Sequence, residues 1–214
     1  MVFFSEAGPY QSDLREVLWA YARERPKVGY VQGMSHIAAL LLLHLPPKRA
    51  FALLVHTLDR HHFPAFFLMD MARIDRYAAA SDVFLARSLP LLHARLKDLG
   101  VETRIYTLEW WMTGFSSVLP HGEAARVWDH FLARGPSALL AFSLALLSQV
   151  SKQLMRASFE AAMSLLTHIQ DQEFDFPQAL AFARQLPLSH EQLMAVVERT
   201  SSRAPKAKEE AEAG

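Results

Sequence analysis

Cysteine is absent from all 214 residues, which removes disulfides, thiolate nucleophiles and cysteine-ligated zinc together and argues against a small secreted scaffold. Net charge is lacking too, because 22 basic and 22 acidic side chains cancel. No broad electrostatic footprint for nucleic acid or acidic lipid is therefore expected, although a local patch can exist. Apolar runs are short: Ile37 to Leu43 is the longest, and Ala138 to Leu147 is broken by Ser143. Both fall below the roughly 18 to 20 residues of a membrane span. The opening Met1-Val2-Phe3-Phe4-Ser5-Glu6 lacks the basic and apolar regions of a signal peptide, so a cytosolic location is expected. A Walker loop, a GxGxxG, an HExxH and a nucleophile elbow are all missing, which leaves no basis for a phosphate cradle, a helical metal site or a hydrolase triad. The ten histidines are densest at His56, His61 and His62, with Asp59 among them; solvated side chains at a helix end are expected there, with no metal.

What is present suits a globular chain: 51% hydrophobic, 21% charged and 11% aromatic residues. One domain of this size buries roughly 70% of its unfolded surface. Apolar spacing is helical almost throughout, beginning with Leu14, Val17, Leu18 and Tyr21 on one face. Ser12 is the expected N-cap of that helix and Pro26 its limit. A loop through Arg25 to Gly29 leads to a second helix over 35–45, Pro46-Pro47 opens a third over 48–59, and a single long helical region is expected over 70–99 up to Gly100. Later helices are expected near 104–118, 121–133, 136–150, 152–170, 176–185 and 189–200. The fold class is all-α, an irregular array of about nine to ten helices without a sequence repeat. Residues 201–214 are polar and charged, and a disordered tail is expected there. Trp110, Trp111 and Trp128 lie at helical spacing and belong in the core.

Val28-Gly29-Tyr30-Val31-Gln32-Gly33-Met34-Ser35 stands apart. Two glycines bracket an aromatic residue and a glutamine just before an apolar helix, which lets the backbone approach a partner and aims polar groups from a helix start. Local chemistry alone equally allows turn glycines and an incidental glutamine.

Tyr30-Val31-Gln32-Gly33-Met34 resembles the YxQGM motif of the TBC domain, the family of Rab GTPase-activating proteins. Gly8-Pro9-Tyr10, Leu14, Leu18, Tyr21 and Arg25-Pro26-Lys27-Val28-Gly29 are similar to the segment before that motif. Ile105-Tyr106, Glu109-Trp110, Phe115, Leu119-Pro120, Ala125-Arg126-Val127-Trp128-Asp129-His130-Phe131 and Gly135 look like the family's late helices with their RxWD signature. The resemblance runs over about residues 3 to 187 and implies a TBC domain over 1–200.

The mechanism it implies inserts an arginine and a glutamine into the nucleotide site of a Rab. Charge spreads over the γ-phosphoryl oxygens and a water must be aligned, so a donor arginine and a water-orienting amide are the useful groups. Gln32 matches the glutamine, and its carboxamide can both accept from water and donate to phosphate. Tyr30, Gly33 and Met34 are implied to meet the partner. No cofactor of its own is implied, since GTP and Mg2+ come with the GTPase. A cytoplasmic role in vesicle traffic, peripheral to membranes through that partner, follows from the same resemblance. The IxxDxxR motif that carries the family's arginine occurs nowhere in the sequence, and the RxxW helices before it are missing as well, so the domain is expected to be N-terminally incomplete. An arginine finger is worth on the order of 10³ to 10⁵ in rate, and a TBC-like module that binds a Rab or another protein without accelerating hydrolysis is the alternative. Apolar surface on the first two helices is expected to be uncovered, favouring self-association.

Overall fold

The computed structural model describes residues 8–200. Residues 1–7, where the resemblance begins, and the expected tail at 201–214 lie outside the described residues. Within them the chain is all-α, with twelve α-helices and no strand. In order these are α1 Gln11–Glu24, α2 Met34–Leu42, α3 Pro47–Leu58, α4 Phe63–Phe67, α5 Met71–Ser88, α6 Pro90–Asp98, α7 Thr103–Met112, α8 His121–Arg134, α9 Pro136–Leu154, α10 Phe159–Thr167, α11 Phe176–Gln185 and α12 His190–Thr200. A short 3-10 turn, Ile169–Asp171, follows α10.

α9 is the axis of the array. It carries no charged side chain before Lys152, and its residues from Pro136 to Leu147 are all buried. A helix that is apolar all round has to be enclosed. α5, α6, α7, α8, α10, α11 and α12 all touch it. α1, α2 and α3 pack on one another, and α2 reaches α8. That three-helix group carries the Tyr30 loop between α1 and α2.

Punctuation explains most of the boundaries. Pro47, Pro90 and Pro136 each open a helix, at the position where a missing N–H costs nothing. The side chains of Asp70, Ser158 and Asp175 accept from the backbone N–H groups of Arg73, Ala161 and Gln178 and cap α5, α10 and α11.

Several expectations needed correction. The first helix begins at Gln11, so Ser12 lies inside it and caps nothing. The region expected to run unbroken over 70–99 is two helices, because Leu89 before Pro90 leaves the helical conformation, at φ −137° and ψ 62°. The His61-to-Pro64 interruption contains a helix of its own, α4. These two differences raise the count above the expected nine or ten. His62 is not solvated but fully buried. The three tryptophans sit in the core as expected, at 1%, 0% and 3% exposure for Trp110, Trp111 and Trp128. The indole N–H of Trp128 donates to the Gly114 carbonyl at 2.9 Å, and Gly114 has φ +53° with no room for a Cβ against that ring.

Candidate functional site

The connection from Arg25 to Gly33 is held at both ends. At the first, the Arg25 guanidinium grips Asp59 just past α3, with Nε 2.9 Å and Nη2 2.7 Å from Oδ2. Its Nη1 also donates to Glu24 at 3.0 Å. The Arg25 carbonyl meanwhile accepts from the Val28 and Gly29 N–H groups, closing a turn that places Gly29 at φ +64°. The Asp59 carboxylate lies close to Tyr21, and burial together with that charge pushes the Tyr21 hydroxyl up to about 12.

At the second end Gly33 is buried at φ +105°, and a Cβ there would come 3.4 Å from Thr113 Cγ2 at the end of α7. Any other residue would be strained by the backbone angle, although its Cβ would meet α7 only at ordinary contact distance. Thr113 in turn donates to the Glu109 carbonyl and pairs with Ser117 at 2.9 Å, so the wall against which Gly33 rests is itself fixed.

Between these anchors the side chains divide sharply. Gln32 is exposed and Tyr30 is 54% exposed, its hydroxyl 3.5 Å from Ser35 Oγ. Met34 is wholly buried, and its sulfur accepts from the Val31 N–H at 3.4 Å. The thioether of Met34, which the resemblance implies meets the partner, fills the core under the loop and braces it. Gly33 is also buried and occupies the N-cap position of α2, where its positive φ turns the chain into the helix.

Three features of the site escaped sequence reasoning. One is a cleft of about 310 Å³ beside Gln32, whose other wall is Ile105, Leu108 and Met112 of α7. Another is His36, which lines the same cleft four residues after Gln32. Burial, reinforced by His121, holds its pKa below the usual histidine value. The four-residue spacing was visible in sequence, but the meeting with α7 was not. The last is the Arg25–Asp59 pair, 34 residues apart.

The other arginines near the loop are on α1. Arg23 lies over the Trp19 ring, 5.3 Å from its centroid. Arg15 borders an apolar groove formed with Leu14, Leu18, Trp19, Ala22 and Tyr30. Among the described residues no group of three histidine or acidic side chains could hold a metal, and no helix is long and apolar enough to cross a membrane.

The described residues thus form an all-α array with Gln32 exposed on the loop between α1 and α2. The chain belongs to the Rab-GTPase-TBC domain family, whose family model matches residues 1–155. It is 38% identical over 183 residues to TBC1 domain family member 14 of Bos taurus, covering 86% of this chain and 26% of that protein. Drainin of Dictyostelium discoideum is 32% identical over 79% of this chain and 39% of its own length. The chain thus spans between a quarter and two fifths of these relatives. Among solved structures, the Chlamydomonas flagellar RabGAP TBC domain matches with a TM-score of 0.67 at 24% identity, over 91% of this chain and 60% of that one. The Ypt/Rab-GAP domain of Gyp1p matches at 0.63 and 18% identity, over 89% and 66%. The fold is that of these domains.

Proposed function

We propose that this chain stimulates GTP hydrolysis on a Rab-type small GTPase, with Gln32 entering the partner's nucleotide site. The observation that carries this reading is the exposure of Gln32 on a loop held by Arg25–Asp59 at one end and by buried Met34, whose sulfur accepts from the Val31 N–H, at the other. A preorganised amide can align water and donate to developing charge without reorganising as the reaction proceeds. GTP and Mg2+ belong to the GTPase, so the chain needs no cofactor for this. A place in vesicle traffic, on membranes through that GTPase, follows from the same reading.

Single-turnover hydrolysis over a panel of GTP-loaded Rab proteins tests it. Gln32→Ala is expected to lower stimulated hydrolysis by on the order of 10²-fold, the usual loss for one preorganised polar contact, with the circular dichroism unchanged. A variant as fast as the parent removes Gln32 from the mechanism.

A second reading, in which the module binds a GTPase without accelerating it, is favoured by the engagement of the nearby arginines. Arg25 is committed to Asp59 and Glu24, and Arg23 lies on Trp19. The same assay separates the two readings: binding with no stimulated hydrolysis selects the second.

A further inference from the structure

The cleft between the start of α2 and α7 has two unlike walls. One is the loop side, with Gln32, Gly33 and His36; the other carries the apolar side chains of Ile105, Leu108 and Met112 together with Glu109, Thr113 and Ser117. Ile105 is 40% exposed, while Trp110 and Trp111 on the same helix are enclosed. The Nδ1 of His36 is shut away with no hydrogen-bond partner, and burial disfavours its charged form. Among the described residues, the one charged side chain lining the cleft is Glu109, which is exposed.

We propose that this cleft is a socket for one large apolar side chain, aliphatic or aromatic, presented by the same GTPase that Gln32 addresses. The proposal rests on the reading of Gln32 given above. Gln32 and Gly33 form part of the wall, so a protein surface that receives Gln32 lies across the mouth. A flat surface there would leave the Ile105, Leu108 and Met112 contacts unmade on one side. A charged side chain would lose its hydration against three aliphatic groups. An apolar residue fills the volume and turns the apolar side chains of that wall into contact area. A desolvated pocket at the centre of an interface is where a few side chains carry most of the affinity. Gln32 then supplies the rate and the socket supplies the grip, and partner choice is read by α7 as well as by the loop.

The test uses the full chain and a panel of Rab-type GTPases loaded with GDP and aluminium fluoride, with affinity measured by calorimetry and KM and kcat measured in parallel with GTP. Ile105→Arg, a change at an exposed position, is expected to weaken binding about tenfold or more and to raise KM correspondingly. Leu108→Ala, which only removes atoms, is expected to weaken it several-fold, and it decides the matter if Ile105→Arg does not fold. Gln32→Ala is expected to show the opposite pattern, with kcat lost and affinity held within a few-fold. If both α7 variants bind as tightly as the parent, the socket is wrong while the role of Gln32 stands. A parent chain that binds no GTPase of the panel overturns both.

Discussion

His62 is surrounded by the rings of Phe63, Phe66, Tyr77, Trp111 and Phe131, with centroids between 4.2 and 6.2 Å away. Its Nε2 lies 3.1 Å from the Trp111 carbonyl, and its Nδ1 has no partner. That environment admits a neutral imidazole protonated on Nε2, because a second N–H on Nδ1 would have nothing to donate to. Burial accordingly pushes the His62 pKa down to about 3. The sign of the consequence is fixed: below about pH 6.5 the unfolded chain takes up a proton that the folded chain refuses, so stability falls as the pH falls. Between pH 7 and pH 5 the loss from this residue is about 2 kcal/mol. His62→Gln is expected to flatten the dependence, which urea titrations of both proteins at the two pH values would reveal. A parent whose stability is level from pH 7 to 5 would show that His62 is hydrated. Sequence reading placed His62 at a wet helix end because its neighbours His61 and Asp59 are polar; its immersion depends on α5, α7 and α8 arriving from elsewhere in the chain.

At the scale of elements, the sequence disclosed what is periodic and hid what is conditional. α11 was legible to the residue, since Asp175 and Pro177 announce its start and Pro187 follows its end. The division of α5 from α6 was present as Pro90, but Leu85, Leu89, Leu92 and Leu96 kept a helical spacing across it and masked the break. The α1–α2 loop shows the same limit. YxQGM stood out, yet the bond that pins the loop joins it to the end of α3, and no local pattern records that. Arg25 and Asp59 are each about a third exposed, so solvent screens the pair and it adds little to global stability. Its effect is local. Asp59→Ala is expected to leave the denaturation midpoint nearly unchanged while amide exchange at Val28 and Gly29, whose N–H groups bond to the Arg25 carbonyl, becomes faster. Unaltered exchange at both positions would mean that the turn holds without the ion pair.

For the whole molecule, the apolar groove on α1 matters most. Leu14, Leu18, Trp19, Ala22 and Tyr30 form it, with Trp19 64% exposed and Tyr30 54% exposed. Isolated apolar side chains are ordinary on a surface, but a continuous strip is an invitation to association. Light scattering is expected to show concentration-dependent association of the parent chain and its reduction in Trp19→Ser. A parent that stays monomeric at high concentration would remove the groove as a contact. The core was the most legible part, because Trp110, Trp111 and Trp128 follow from helical spacing alone. The cleft beside Gln32 was the least, because its walls come from segments about 75 residues apart in the chain.

The closeness of Gly33 to Thr113 has one more consequence. A loop that must become ordered when it meets its partner surrenders conformational freedom at that moment, on the order of 1 to 2 kcal/mol for each residue fixed. Here the base of the loop is already buried beside the end of α7, so that freedom is surrendered when the chain folds and not again at each encounter. Under the function proposed for Gln32, a partner GTPase would meet a loop whose backbone is already set, and the ordering cost would not recur with each encounter.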